Sequence, residues 1–221
     1  MKNASFAPNR RQVLGLGLVL AGAAAANVIP GFQLLASAQA AVPPAAQKIA
    51  DHFSSVKSMS GEFVQFGPKG EQTGGKFFLA RPGKIRFNYD GSSNFRVISD
   101  GKSVVILNKK LNTSDLYPLS KTPLKLLLDD RIDLSGGRVK SVKEEDDLTT
   151  IQLSDKSVFG NARITMMFDP KSYELRQWTI TDAQGKDTTV MIFNVKEGVS
   201  FAPDTFAIDY TANRELNTKT R

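Results

Sequence analysis

The chain has 221 residues, with 29 Lys and Arg against 22 Asp and Glu for a net charge of +7, one histidine and no cysteine. The missing cysteine excludes structural disulfides, cysteine nucleophiles, thiolate metal sites and the acylated cysteine that begins a mature bacterial lipoprotein. The basic residues alternate with apolar ones instead of clustering, which excludes a nucleic-acid footprint.

Residues 1–40 read as a cleaved secretory signal. Lys2, Arg10 and Arg11 precede an apolar run from Val13 through Val28, and Ala38-Gln39-Ala40 offers the small-x-small pattern that signal peptidase cuts. The segment, interrupted by Asn27, Pro30 and Gln33, falls short of the about 20 apolar residues of a membrane span, and an uncleaved anchor is the alternative. Asn9-Arg10-Arg11-Gln12-Val13-Leu14 also looks like a loose twin-arginine signal with Val13 where an aromatic usually stands, so general secretory and twin-arginine export both stay open. Either route leads to the periplasm. Processing removes three basic residues and no acidic ones, taking +7 to +4, and leaves residues 41–221 as one expected domain, a soluble monomer.

Pro43-Pro44 breaks the chain, after which Ala45, Ile49, Phe53 and Val56 recur on one stripe, predicting an amphipathic helix of about three turns. That stripe either seals a core or caps a cavity. His52, beside it, reads as an exposed side chain and not as a ligand or general base.

From Gly61 the apolar period becomes two. Glu62, Val64 and Phe66 alternate with Phe63 and Gln65, Lys84, Arg86 and Asn88 with Ile85, Phe87 and Tyr89, and Arg96 and Ile98 with Phe95 and Val97. Further strands are predicted at 104–107, 139–142, 149–153, 162–168, 175–181 and 188–195, with glycine, proline and aspartate turns between them. The fold class is therefore mainly β with a few helices, an antiparallel meander closing toward an incomplete barrel.

One segment interrupts the meander. Thr122 reads as an N-cap, Pro123 as the first helical residue and Leu124 to Leu128 as a short apolar helix, with Leu124, Leu127 and Leu128 on one face. It is either a plug in the core or a lid over a cavity. Asp129-Asp130 follow, where two negative charges oppose the helix dipole and leave that end weakly held.

Catalytic chemistry finds little support, and no cofactor or metal is implied. A single histidine cannot build a thiol-histidine pair or a histidine-rich metal cage, and no Gly-x-Ser-x-Gly elbow supports a hydrolase triad. The acids Glu144 to Asp147 lack the spacing of a calcium loop and read as a solvated hairpin tip.

Several stretches together resemble the outer-membrane lipoprotein carrier (LolA) family. They are Phe63-Val64-Gln65, Gly74-Gly75-Lys76-Phe77-Phe78-Leu79, Arg81-Pro82-Gly83-Lys84-Ile85-Arg86-Phe87-Asn88-Tyr89 and Ser99-Asp100-Gly101-Lys102. The Thr122-Pro123-Leu124 helix and a terminal strand at Phe201-Ala202-Pro203-Asp204-Thr205-Phe206 continue the pattern. The Arg-Pro strand is the most specific piece, and Tyr89 stands where many members place tryptophan.

The resemblance implies a periplasmic half-barrel closed by a helical lid, not an enzyme. Its apolar cavity would take lipoprotein acyl chains from an ATP-driven (ABC-type) inner-membrane exporter and pass them to an outer-membrane receptor or the outer membrane itself. It makes Arg81 the latch that holds the lid in the unloaded state. The candidate cavity wall comprises Phe63, Phe77, Leu79, Phe87 and Tyr89, the helix residues Leu124, Leu127 and Leu128, and Met166, Trp178 and Phe193. The same side chains equally suit a closed core. A carrier of another lipid or glycolipid on this fold is the alternative reading, and a periplasmic hydrolase a more distant one.

Overall fold

Eleven strands form one antiparallel sheet, and its strand order explains both the barrel and its gap. The computed structural model describes residues 42–91, 95–108, 110–135, 137–156, 160–211 and 213, all in the compact unit Gln39–Arg221; the predicted signal lies outside them. Helix α1 (Pro44–Ser55) leads into β1 (Ser58–Phe66), β2 (Gln72–Ala80), β3 (Lys84–Tyr89), β4 (Phe95–Asp100), β5 (Ser103–Asn108) and β6 (Thr113–Pro118). A 3-10 turn (Leu119–Lys121) and helix α2 (Leu124–Leu128) precede β7 (Val139–Glu144), β8 (Thr149–Leu153), β9 (Arg163–Phe168), β10 (Leu175–Thr181) and β11 (Asp187–Glu197). The order is β6-β5-β4-β3-β2-β1-β11-β10-β9-β8-β7. Strand β1 pairs with both β2 and β11, so it stitches two meanders into one sheet. The outer strands β6 and β7 do not pair. The result is the incomplete antiparallel barrel that the alternation predicts, and the chain from β6 to β7 carries α2 across the open seam.

The inner face is apolar because every second residue points inward. Phe63, Phe77, Leu79, Ile85, Ile151, Leu153, Ile164, Met166 and Phe168 are all at most 2% exposed. Full burial of each such side chain stabilises the fold by about 1.5–3 kcal/mol, so this layer dominates the energetics. Helix α1 closes one end with Ala46, Ile49, Ala50 and Phe53, where two alanines let its backbone lie close to the sheet. Phe53 meets Phe168 edge to face at 5.5 Å. His52 is exposed, with its ring 5.8 Å from that of Tyr173.

Three details differ from the sequence expectation. Strand β6 was not predicted: only Ser114 is buried in it, so this edge strand carries no apolar alternation. Residues 201–206 do not form a terminal strand but turns that lie on the convex face. There Phe201 packs edge-on against Phe78 at 6.0 Å, Arg86 Nη1 donates to the carbonyl oxygen of Thr205 at 2.9 Å, and the Tyr210 hydroxyl donates to Asp100 at 2.7 Å. Asn213 and Ser114 share a buried hydrogen bond, and Ile98 and Val105 are buried beneath this strap. Thr122 does not cap α2 either. Its Oγ1 donates to the Leu119 carbonyl oxygen at 3.0 Å, and Pro123 occupies the N-cap with helical angles.

Candidate functional site

The concave face is divided between a plug and an open cavity. At the end of the barrel formed by Ser58, Ala80 and Lys84, α1 and α2 fill the interior, with Leu127 and Leu128 wholly buried. Toward the other end, where Phe66, Tyr89 and Phe95 lie, a cavity of about 430 Å³ remains. That volume falls within the roughly 300–1,000 Å³ of ligand-binding pockets. Phe87 and Tyr89 of β3, Phe95 and Val97 of β4, and Val104 and Ile106 of β5 form one wall. Trp178, Ile180, Thr188 and Val190 of β10 and β11 form the other, and Thr122-Pro123-Leu124 enters from the seam. This mainly apolar surface suits a hydrocarbon ligand.

Of the predicted wall residues, Phe87, Tyr89, Leu124 and Trp178 line this cavity. Phe63, Phe77, Leu79, Met166, Leu127 and Leu128 instead lie in the packed core, because the helices press on the part of the sheet that carries them. Phe193 is misplaced by the sequence reading. It is 43% exposed on the convex side, since the inward positions of β11 are Val190 and Ile192. Alternation gives two faces without saying which is inner. Sequence reasoning missed Phe95, Val97, Val104, Ile106, Ile180 and Val190. Phe95 and Val97 were visible as one alternating set, but Ile98 made the opposite face of that strand look equally apolar.

Arg81 joins both helices. It follows β2 at the turn into β3, and the residue is 9% exposed. Nη1 donates to the carbonyl oxygens of Leu127 and Asp129 at 2.6 Å each, and Nε donates to that of Val56, just past α1, at 3.2 Å. The guanidinium carbon stands 4.4 Å from the centre of the Phe53 ring. These acceptors include the C-terminal carbonyls a short helix leaves unpaired, so a cation here matches the helix dipole. Burial pushes the guanidinium down to about 10, with Asp129 and Asp130 pulling the other way, so it stays charged at neutral pH. Nη2 is buried without a partner among the described residues. An unsatisfied buried donor costs about 1–3 kcal/mol, which offsets part of what the three bonds contribute.

The end of α2 is better held than its two aspartates suggested. Lys125 pairs with Asp129, Lys57 Nζ lies 2.8 Å from Asp130, and the Gly83 amide donates to the Leu128 carbonyl oxygen at 2.8 Å. The hydrogen bond from Lys57 holds the Asp130 carboxyl below its ordinary value. The segment after α2 is also tied to α1, since the Ile132 amide donates to Ser54 Oγ at 2.9 Å and Arg131 pairs with Asp51 at 3.0 Å. The exposed pairs add at most about 1 kcal/mol each, which leaves Arg81 as the main buried connection.

One polar pair lies in the cavity wall. The Tyr89 hydroxyl donates to Gln65 Oε1 at 2.7 Å, across the intervening strand β2. The residue between them is Gly75, paired with Phe63 on one side and Tyr89 on the other. Having no side chain, Gly75 leaves space for the Tyr89 ring to cross, and that ring meets Phe63 edge-on at 5.1 Å. Burial raises the Tyr89 hydroxyl above its ordinary value, with the bond to Gln65 acting in the opposite direction.

The family described as "Outer membrane lipoprotein carrier protein LolA" matches residues 54–209. The chain is 23% identical over 177 residues to the outer-membrane lipoprotein carrier protein of Pseudomonas paraeruginosa, covering 75% of this chain and 83% of that one. It is 26% identical over 162 residues to the protein of the same name from Chromobacterium violaceum, covering 70% and 78%. A crystal structure of a LolA superfamily protein from Nitrosomonas europaea aligns with a TM-score of 0.41 at 10% identity, over 75% of this chain and 98% of that one.

Proposed function

The chain belongs to the outer membrane lipoprotein carrier (LolA) family, and from that premise we propose that it binds the acyl chains of lipoproteins and shuttles them across the periplasm. The observation that carries this reading is an apolar cavity bordered by a helix whose end is clamped by a single buried arginine. Burying an acyl chain of about 15 methylenes is worth on the order of 12 kcal/mol at ~0.8 kcal/mol each. Such a ligand would leave too slowly unless an alternative state competes with it. The closed, empty protein is that competitor. Its Arg81 bonds form only when α2 is down, and each charged hydrogen bond contributes about 1.5–3 kcal/mol.

Loading lifts α2, and the layer beneath, Phe63, Phe77, Leu79 and Met166 together with Leu127 and Leu128, becomes further wall for acyl chains. Closing the lid expels them. The cargo comes from an ATP-driven inner-membrane exporter and goes to an outer-membrane receptor or the outer membrane itself, with no bond made or broken in the protein. Among the described residues no helix is long and apolar enough to cross a membrane.

The test is incubation of the purified protein with spheroplasts. Newly made lipoproteins are expected in the medium in complex with it. Recovery of only phospholipid or glycolipid in an extract of the protein would replace lipoproteins by another lipid cargo.

A further inference from the structure

We infer that Gln65, oriented by Tyr89 and flanked by Thr188, is a polar subsite at the cavity mouth that binds the carbonyl oxygen joining an acyl chain to its ester or amide. The inference rests on the acyl-cavity reading above and adds where the chain stops and what recognises its polar end.

Strand register sets the depth of each wall residue. Phe87, Val97, Trp178 and Val190 lie toward the plug, and the next inward residues on the same strands, Tyr89, Phe95, Ile180 and Thr188, lie nearer the mouth. Gln65 pairs with Val190, and Thr188 is the next inward residue along β11, so the two are diagonal neighbours about 7–8 Å apart at their α-carbons. Tyr89, Gln65 and Thr188 therefore form one band at the mouth.

The chemistry of the band is donor-rich. Tyr89 gives its hydroxyl hydrogen to Gln65 Oε1, which fixes the amide and leaves its two N–H donors over. Among the described residues neither those donors nor the Thr188 hydroxyl has a hydrogen-bonding partner, although both side chains line the cavity. Donors without acceptors at the rim of an apolar space fit a ligand whose hydrocarbon lies deep and whose first polar atom is an acceptor. An ester or amide carbonyl has that form. An ammonium group does not.

The test compares matched ligands on the purified protein. One is a dipalmitoyl-glyceryl cysteine lipopeptide, and the other is its dihexadecyl ether analogue, which keeps the chains and lacks the ester carbonyls. The wild type is expected to bind the ester form about 3- to 10-fold more tightly, the range of one net hydrogen bond. Gln65→Met should abolish that ratio, and Thr188→Val should reduce it. Gln65→Glu, which keeps an acceptor for Tyr89 but has no N–H donor, should also abolish it and shows the effect is not lost packing. A third ligand, dipalmitoyl phosphatidylglycerol, separates sources sharing the ester: tighter binding of the lipopeptide assigns the subsite to lipoproteins, and tighter binding of the phospholipid to membrane lipid. Equal wild-type affinity for ester and ether forms overturns the subsite and leaves the acyl cavity standing. Failure to bind either form removes both. An unchanged ester preference in Gln65→Met and Gln65→Glu also overturns the assignment.

Discussion

The guanidinium of Arg81 lies 2.6 Å from the carbonyl oxygen of Leu127, 46 residues further along the chain and on the helix that crosses the barrel's open seam. No residue of the sheet needs that bond for its own pairing, since Arg81 stands beyond the end of β2. Its loss should therefore act on the lid. Arg81→Leu removes three hydrogen bonds and the unpaired Nη2 together, and should lower the stability of the closed form by about 1–3 kcal/mol net, or roughly 2–10 °C in Tm. The empty state then competes poorly with the loaded one, so cargo is taken up but handed on slowly. Arg81→Lys should be milder, because one ammonium keeps the charge beside these carbonyls and loses only the planar fork. Transfer of bound lipoprotein from each variant to outer membranes measures this, and wild-type transfer by Arg81→Leu would remove the arginine from the mechanism.

Leu124 and Leu127 share a helix but answer to different surroundings. Leu124 borders the cavity, while Leu127 is fully buried in the core. Leu127→Glu should unfold or loosen the whole domain, since an unpaired carboxylate there costs several kcal/mol. Leu124→Gln should leave the melting cooperative and reduce binding of an acyl-chain ligand several-fold, its amide being able to turn toward the open space. Circular dichroism melts beside titration with a fluorescent fatty acid separate the two. The same loss of fold in both variants would mean that the helix is a plug throughout.

The half-barrel was legible because its signals are local. Period-two alternation marks strands such as Lys84–Tyr89, and paired turn residues mark the hairpins. What stayed hidden depends on the third dimension. Phe193 and Trp178 look equivalent in a strand pattern, yet one faces solvent and the other the cavity, since the inner face is set by pairing across β1 and β11. Strand β6 escaped because it is an edge strand with Ser114 its one buried residue, so it carries no apolar alternation to read. Arg81 could be singled out only by resemblance. A lone arginine after a strand gives no sign that three carbonyls from two helices will converge on it.

Maturation gives a third prediction, resting on sequence alone. The basic start and Ala38-Gln39-Ala40 call for cleavage just before Ala41, three residues ahead of α1. Intact-mass measurement of periplasmic protein should find that start. Lys substituted for both Arg10 and Arg11 should slow export strongly if the twin-arginine route is used and little if the general route is used. Recovery of only full-length protein in the membrane fraction would overturn the periplasmic location.

Gly75 tests whether the cavity wall is built as described. It adopts φ of +157°, and a Cβ added there would sit 2.0 Å from the carbonyl oxygen of Asn88 and 2.9 Å from the Tyr89 α-carbon. Both obstacles are backbone of the neighbouring strand, which cannot swing aside as a side chain can. The β2–β3 pairing must separate locally, and the Tyr89 ring that crosses Gly75 must move with it. Gly75→Ala should therefore destabilise the fold by about 1–3 kcal/mol, the range of core overpacking, and lower Tm by roughly 2–10 °C. It should also break the Tyr89–Gln65 hydrogen bond. Gly74→Ala is the control, because its added Cβ would approach the Phe63 carbonyl oxygen only to 3.2 Å. That variant should lower Tm clearly less than Gly75→Ala does, since the strand need give by only a few tenths of an ångström. If Gly75→Ala matches it in Tm and in acyl-ligand affinity, then Tyr89 does not need the glycine to reach across the strand, and the mouth of the cavity is arranged differently.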